Sequence, residues 1–386
     1  LVGSEMCIRD RLITAIYLPT INAIEILPII SSETDSNSTI KRKGIINYLF
    51  CNLSSSENPE FVDWLHKLSI QPTYECEGLR SLTPEIYGAL PLTQNQIVYY
   101  LTSLQNCYLC NKKNTLTVTP FYYSSPYNKE KPLPTFQYNT SGFSIDTSSY
   151  STFFTPGIGL SYSHTDTNWQ AQKNVSTTHN IYLYPSLKYN NENLFCNATL
   201  LGGYTFHNVK RVLQIPDRSS VYSTPHSWEL ASTLVGGYIY STNYLTFIPQ
   251  LIFTQTNVFQ SSIKENNYGN LKAASKNFRY LNMSFSLKIK PYLKESCRYI
   301  APSIQLGWRS IRQLSDRNFI AKLGKITDRL SYFTNETYSS NLNLFFVEGV
   351  LSILFRTSQH VELSYRTEFD KKVIASGLSA QLIWEF

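Results

Sequence analysis

The segment Ser161 to Asn168, SYSHTDTN, contains the residue types best suited to catalysis. Its His164 is a candidate general base, and Asn168 is a candidate partner for that histidine. Acyl transfer also needs a nucleophile within hydrogen-bond reach of the base. The residues after His164 are Thr165 and Asp166, so no serine follows it in the expected position. A nucleophile and base cannot be assigned, and we expect this segment to be the start of a loop without enzymatic activity.

The acidic residues offer a second set of candidates for acid–base chemistry. They are scattered, and several alternate with lysine and arginine in strand-like segments, so we interpret them as structural. This set comprises Asp217, Glu229, Glu348, Glu362 and Glu385.

The cysteines do not form a recognisable metal site. There are seven, an odd number, so at most six can pair within the chain. Cys107 and Cys110 form a single C-x-x-C, whereas a structural zinc site needs a second close pair. We expect disulfides among Cys51, Cys76, Cys107 and Cys110 in an oxidising compartment. No metal and no cofactor are predicted.

The charge of the chain is modest, with a net value of +7 spread along 386 residues. Short basic clusters such as Lys41–Lys43 are typical of solvated faces, so no nucleic-acid partner is predicted. The most apolar stretch, Leu12 to Ile30, is interrupted by Pro19 and Pro28 and does not provide the run of about 20 apolar residues that a membrane helix requires. If this protein is in a membrane, it crosses with strands.

The last stretch, Val373 to Phe386, carries the clearest strand pattern. Side chains alternate between the two faces of a strand. One face carries Leu378, Ala380, Leu382, Trp384 and Phe386, and the other is small and polar except for Ile383. An apolar face that ends in aromatic residues is typical of a barrel strand whose end lies at the membrane interface.

The same period of two continues from Asn111 to the end of the chain and predicts twelve strands. In these strands Lys288, Lys290, Arg309 and Arg366 fall on the polar face, opposite the apolar one. We predict that this face lines a polar lumen, with Lys288, Lys290, Gln305, Arg309, Glu362 and Arg366 as lumen-facing residues. Strands are predicted at Thr115–Ser124, Phe136–Asp146, Phe153–Ser163, Thr178–Tyr189, Leu194–Phe206, Ser227–Tyr240, Tyr244–Thr256, Phe278–Lys290, Tyr299–Ile311, Asn341–Phe355, His360–Arg366 and Ile374–Phe386.

The connections between these strands alternate in length. Long segments such as His164–Thr177, His207–His226, Asn257–Asn277 and Arg312–Ser340 alternate with tight turns such as Asn190–Asn193. Long loops at one end and turns at the other are typical of a membrane barrel and are not expected in a Greek-key sandwich. We therefore predict an all-β transmembrane fold, a twelve-stranded antiparallel up-and-down β-barrel of the outer-membrane type.

A helical segment is predicted before the barrel, from Gly44 to about residue 112. Its last helix, at about residues 92–108, would begin with a capping box of Thr93 and Gln96 and would present Ile97, Tyr100, Leu101 and Leu104 on one face. Its mixed polar and apolar composition suits a position inside the barrel, as a pore helix. Residues 1–43 contain SEMCIRDR, which resembles translated sequencing adapter, followed by a polar linker. We exclude them from fold reasoning and expect the natural chain to extend further N-terminally.

Several motifs resemble those of one family. The stretch LRSLTPEIYGALPL, with Thr83, Pro84, Glu85 and Tyr87, is similar to the segment that precedes the β-domain of bacterial autotransporters. GIGLSYSHTDTNW, the Arg211–Pro216 segment, LVGGY before Ile239, PSIQLGWR and the terminal Phe386 resemble later parts of that domain. The resemblance covers about residues 60–386.

This resemblance implies a translocator of type V secretion, with the barrel at residues 113–386 in the outer membrane of a Gram-negative bacterium and its long loops facing outside. The implied partners are outer-membrane lipid, the barrel assembly machinery, which would recognise Leu382, Trp384 and Phe386, and a passenger segment of the same protein. We expect a monomer. The Asn–Asn pairs, Asn190–Asn191 and Asn266–Asn267, lie outside the predicted helix, so self-cleavage there is not expected.

Two alternatives stay open from the residues alone. One is a stand-alone porin or adhesin barrel, with the helix beside the barrel and not inside it. The other is a barrel phospholipase, since outer-membrane phospholipases use serine, histidine and asparagine on the outer surface of the barrel.

Overall fold

The main strands of the protein are long, from 11 to 19 residues, and their side chains alternate between an apolar face and a polar face. We describe a computed structural model, which covers residues 84–105, 113–127, 135–151, 154–170, 173–191, 193–213, 220–266, 271–291, 300–323, 333–336, 338, 341–356, 358–370 and 373–386. Twelve strands form the main sheet: β1 (Thr115–Tyr127), β2 (Phe136–Ser148), β3 (Phe154–Trp169), β4 (Asn174–Asn191), β5 (Leu194–Val212), β7 (His226–Tyr238), β9 (Leu245–Gln260), β12 (Lys276–Pro291), β13 (Ile300–Gln313), β16 (Leu342–Arg356), β17 (Gln359–Phe369) and β18 (Ile374–Glu385).

These twelve strands close into an antiparallel barrel. Each strand pairs with its neighbours in the chain, β9 pairs with β12, and β18 pairs with β1. In the closing pair Leu116 lies opposite Trp384, and Phe121 lies opposite Ser379. Closure satisfies the backbone groups that an open edge would leave unpaired, which is the requirement for a sheet in lipid. The predicted fold class is confirmed.

The two ends of the barrel differ. We call the end where β1 begins and β18 finishes the turn end, and the opposite end, where β5 finishes and β7 begins, the loop end. The predicted loops at the loop end are partly wrong, because strand pairing continues beyond the apolar part of the wall. Strands β3 and β4 include most of His164–Thr177, and the segment Ser161 to Asn168 lies in β3.

Further short strands lie at the barrel ends. Strand β6 (Ser220–Ser223) pairs with β5, and β8 (Tyr240–Ser241) pairs with β9. A separate sheet at the loop end consists of β10 (Ile263–Lys264), β11 (Leu271–Ala273), β14 (Asn318–Leu323) and β15 (Phe333–Glu336). Predicted loops Asn257–Asn277 and Arg312–Ser340 therefore contain strand structure that their composition did not indicate.

One helix is described before the barrel. A 3-10 turn (Pro84–Gly88) leads directly into α1 (Ala89–Leu104). No helix among the described residues is long and apolar enough to cross a bilayer. Predictions for residues 1–83 and for Cys107 and Cys110 lie outside the described residues. Cys196, half-buried on β5, is a free thiol.

The barrel wall has two chemically different faces. On β12, Met283 and Phe285 are exposed on the outside, whereas Ser284 and Ser286 are buried on the inside. The same alternation on β13 places Leu306 outside and Gln305 inside. An apolar outer face can contact lipid, and a polar inner face can be satisfied only within the lumen.

This arrangement predicts different responses of the two faces to charge. Replacing Phe285 or Leu306 by Arg should lower the free energy of unfolding by about 2–4 kcal/mol, the cost of a cation near the bilayer midplane. The matched variants Ser286→Arg and Gln305→Arg place the same group on the inner face and should cost less than half as much. A urea titration of the barrel in liposomes measures both. Equal losses on the two faces would contradict the assignment of inside and outside.

Candidate functional site: a helix in the barrel lumen

Helix α1 lies inside the barrel, surrounded by strands. Every residue from Ala89 to Thr102 is buried, including the polar Gln94, Asn95 and Gln96. A helix on a surface would leave one side exposed. At 1.5 Å per residue, its 16 residues span about 24 Å, close to the height of about 25 Å of a lipid-facing band. Ile97, Tyr100 and Leu101 share the buried core, with Leu104 packed against it.

The predicted start of this helix is wrong. Thr93 lies inside α1, and its hydroxyl donates to the carbonyl of Ala89 at 2.9 Å, so it does not cap the helix. The first turn instead contains Pro91, which is tolerated there because the first N–H groups of a helix have no helical acceptor. The Gln96 side-chain oxygen accepts no hydrogen bond, so the predicted capping box does not form. The helix is Ala89–Leu104, shifted by about one turn from the predicted 92–108.

The N-terminal end of the helix is held at the loop end by a buried ion pair. Arg211 of β5 pairs with Glu265, and its Nε donates to Glu265 Oε1 at 2.7 Å. The Tyr87 hydroxyl donates to the same oxygen at 2.6 Å and lies 2.8 Å from Ser223 Oγ. Burial, with the nearby Glu265 carboxylate, raises the pKa of Tyr87 well above its usual value, so the hydroxyl stays protonated. The start of the helix is thereby joined to both β5 and a loop-end connection.

The middle of the helix contacts a network of buried charges, which we call the central network. Glu368 accepts from Arg366 Nη2 at 2.6 Å and from Arg309 Nη1 at 2.9 Å. Arg309 Nη2 also donates to Asn282 Oδ1 at 2.7 Å, and Asn282 in turn donates to Asn95 of the helix at 2.9 Å. Both charge signs are present and the pairs are hydrogen-bonded, the condition under which buried charges are tolerated.

Tyr99 is the helix residue at the centre of this network. The guanidinium carbon of Arg309 lies 3.4 Å from the Tyr99 ring centroid, and that of Arg366 lies 5.6 Å away. Arg366 Nη2 is also 3.5 Å from the Tyr99 hydroxyl. A desolvated cation over an aromatic ring contributes up to about 2 kcal/mol. The ring therefore binds the helix to two strands of the wall.

Two further contacts set the height and rotation of the helix. Gln94 Nε2 lies 3.0 Å from Nε2 of the buried His207, whose Nδ1 is 2.9 Å from Thr178 Oγ1. The Tyr100 ring lies over Gly377 of β18, where an added Cβ would approach ring atoms at 2.7–2.8 Å. A side chain larger than glycine at position 377 would displace this ring.

The C-terminal end of the helix lies at the turn end. Gln381 Nε2 donates to the carbonyl of Leu104 at 2.7 Å, which satisfies one of the acceptors that a helix end leaves free. Below it lies a polar cavity whose lining includes Lys288, Gln305, Glu362 and Arg366.

The predicted lumen-facing residues all lie on the inner face, at two depths. Gln305, Arg309 and Arg366 are buried beside the helix, whereas Lys288, Lys290 and Glu362 are half-buried nearer the turn end. On the outside of β18, Leu382 and Trp384 are half-buried, and Phe386 is 70% exposed. This places the predicted assembly residues in one outward row at the turn end.

Several functional residues were not identified from the sequence. The predicted strand His360–Arg366 stops two residues before Glu368, whereas the observed β17 continues to Phe369. The alternation of Glu362 and Arg366 also continues through Glu368. Nothing in the local pattern distinguished Tyr99 or Asn95 from other helix residues. Their roles depend on which strands surround them.

The lumen holds a polypeptide segment, helix α1, through close packing and hydrogen bonds from polar residues of the wall. No cluster of metal-ligating side chains occurs in the part of the chain that the structure describes. Ser161 and Ser163 point into the lumen, whereas His164 lies on the outer face beside Asp166 at 3.3 Å, so the two serines of that segment are separated from the histidine by the barrel wall.

Comparisons with known proteins agree on one family. A family model described as the autotransporter β-domain matches residues 119–366. The structure is similar to the translocator domain of the autotransporter NalP from Neisseria meningitidis, with a TM-score of 0.64 and 9% identity over 78% of this chain and 99% of that one. It is also similar to the β-domain of the Bordetella autotransporter BrkA, with a TM-score of 0.55 and 12% identity over 71% of this chain and 100% of that one. No curated protein sequence matches significantly.

Proposed function

Since this chain belongs to the autotransporter β-domain family and is an outer-membrane translocator that exports a passenger, we propose that α1 is the segment that connects the passenger to the barrel, with the loop end at the cell surface. The path of the helix carries this proposal. Tyr87 is bound at the loop end, and Leu104 is bound at the turn end, where β1 begins. Pro84, where the described chain begins, therefore lies towards the loop end, and we infer that the passenger connects there.

The same observation argues against the porin-like alternative. A porin needs a water-filled passage, whereas here a fully buried helix occupies the lumen beside the central network. The barrel closes by itself through β1 and β18, which supports a monomer as the working unit.

Surface protease treatment tests the orientation and the helix path together. A short epitope placed before residue 84 in whole cells should be removed by external protease, and an epitope inserted after Asn191 at a turn should resist until the outer membrane is opened. Protection of the first epitope, or equal cleavage of both, would overturn the proposed direction. The folded barrel, detected by its mobility in unheated gels, is the control for assembly.

We also propose that the barrel assembly machinery recognises the outward row of Leu382, Trp384 and Phe386. These side chains lie on the outer face of β18 at the turn end, and β18 forms the closing pair with β1. Changing both Trp384 and Phe386 to Ser should reduce the folded barrel in cells at least tenfold, measured by heat-modifiable gel mobility. The matched variant Ser376→Ala, on the same face at the other end of the strand, should assemble normally. Wild-type levels of the double variant would contradict the proposal.

We further propose that the chain has no hydrolase activity. Ser141 of β2 does lie opposite His164 on the outer face, but the strands on both sides of β2 engage its backbone groups, so no paired N–H donors are left for an oxyanion. Hydrolysis of a lipid ester by the purified barrel, abolished by His164→Ala, would contradict this.

A further inference from the structure

The outer face of the barrel carries two exposed arginines at the loop end, just beyond the apolar wall. Arg279 lies on β12 and Arg312 on β13, and both are exposed. Arg312 lies opposite Leu281, and the Leu314 N–H donates to the Arg279 carbonyl at 2.8 Å. The two arginines are therefore diagonal neighbours on one face, which places their Cβ atoms within about 8 Å.

Neither guanidinium has an acidic partner among the described residues. Arg279 makes no side-chain hydrogen bond there, and only its backbone is held, by Ser315 Oγ at 3.2 Å. Arg312 donates to the carbonyls of Ile311 and Leu342 and to Asn343 Oδ1 at 3.1 Å, all neutral acceptors. This differs from the lumen, where Arg211, Arg309 and Arg366 each pair with a glutamate. The guanidinium of Arg279 is thus left for an anion from outside the chain, and Arg312 adds a second positive charge that has no counter-ion within the described residues.

An apolar surface lies on the same two strands towards the turn end, beyond Leu281 and Ser310. On the same two strands follow Met283, Phe285 and Trp308, which are 37%, 52% and 37% exposed. Phe285 lies opposite Trp308 in the ladder. The order of cationic group, then aromatic and aliphatic side chains, matches a phosphate headgroup above acyl chains.

We propose that Arg279 and Arg312 bind the phosphate of a phosphorylated glycolipid of the outer leaflet, whose acyl chains lie against Met283, Phe285 and Trp308. This proposal rests on the proposed placement of the loop end at the cell surface. Guanidinium groups bind phosphate oxygens in a bidentate manner, and a site at the lipid boundary strengthens the attraction relative to open water.

Binding of purified lipids to the full chain in detergent, measured by native mass spectrometry, tests this site. The probes are bisphosphorylated lipid A, the same lipid after removal of its phosphates, and phosphatidylglycerol. Each basic side chain near a charged lipid surface contributes about fivefold, so the wild type should prefer the phosphorylated lipid A about 30-fold. Arg279→Gln should reduce this preference to about fivefold, and the double variant with Arg312→Gln should abolish it.

Matched variants separate this site from general basic charge. Lys264→Gln removes an exposed lysine of the small loop-end sheet that has no partner within the described part of the chain, and this variant should keep the full preference. Arg279→Lys keeps the positive charge, and this variant should retain most of the preference for phosphorylated lipid A. Because the Arg279 side chain makes no hydrogen bond or ion pair within the described residues, its variants should fold normally, which unheated gel mobility verifies.

Three results would overturn the proposal. They are an absence of preference in the wild type, a preference that persists in the double variant, and equal binding of phosphatidylglycerol and lipid A. The binding assay does not depend on export. If the double variant loses lipid binding but still displays its passenger epitope to protease, the lipid site stands separately from the proposed function. If the epitope is internal while binding is intact, the proposed orientation is the part that fails.

Discussion

Deleting residues 84–104 is expected to open the barrel to ions. The helix fills the lumen along its length, and a helix with its side chains is about 10–12 Å wide, so its removal leaves a water-filled passage on the order of 10 Å across. Single-channel conductance in planar bilayers should therefore rise clearly above the nearly closed level of the unaltered chain. Cells that carry this variant should also become sensitive to bulky antibiotics.

The matched control keeps the helix and removes only what precedes it. Deletion of residues 1–83 leaves α1 bound to Gln381, Asn282 and His207, so the conductance should stay at the nearly closed level. Equal conductance of the two deletion variants would mean that the helix does not block the passage. The porin-like alternative would then be favoured.

Changing Glu368 to Ala is expected to cost about 3–5 kcal/mol of folding stability. Its carboxylate accepts from both Arg309 and Arg366, and all three side chains are buried. Removing it leaves two guanidinium groups close together without their shared counter-ion, and breaking a buried pair has a cost of this size. Loss of the helix from the lumen should follow, since both arginines also contact Tyr99.

A urea titration in liposomes measures this loss, and the ion conductance of the same variant reports on helix release. Glu362→Ala is the matched control, on the same strand and the same face. Glu362 accepts from Ser352 at 2.8 Å and is only half-buried near the turn end, so its removal should cost below about 1 kcal/mol. Similar losses for the two glutamates would show that the central network does not stabilise the barrel.

Much of the barrel could be predicted because strand patterns are local. The alternation that separates Phe285 from Ser286, or Leu306 from Gln305, is present in the sequence itself, and it assigns each residue to lipid or lumen before any contact is known. All twelve strands were predicted. Four predicted starts, at Thr115, Phe136, Leu194 and Ile374, coincide with the observed ones, and the largest differences are at the loop end, where β3 and β5 run on to Trp169 and Val212. At that end the outward residues of β3 and β5 are mostly polar, so the alternation of apolar and polar residues ends before the hydrogen-bonded part of the strand ends.

The start of helix α1 could not be predicted from the local sequence pattern. Its presence and its position inside the barrel followed from its mixed composition, but its start did not. A capping box at Thr93 and Gln96 is a local solution for a helix end in water. In the lumen, wall residues supply the contacts, and the 3-10 turn before Ala89 extends the helix past the predicted cap.

The sequence by itself determined that this chain forms a closed, lipid-facing barrel. The same alternation of apolar and polar residues indicates that a segment is a strand, which face each side chain occupies and which face contacts lipid. Only the tertiary structure decided which residues of the wall hold the helix in the lumen. Tyr99, Asn282 and Glu368 lie far apart in the chain and meet because β12, β13 and β17 surround the helix at the same height. Such contacts depend on the stagger of strands around the barrel, which no local pattern contains. The exposed pair of Arg279 and Arg312 likewise exists only through the register of two strands.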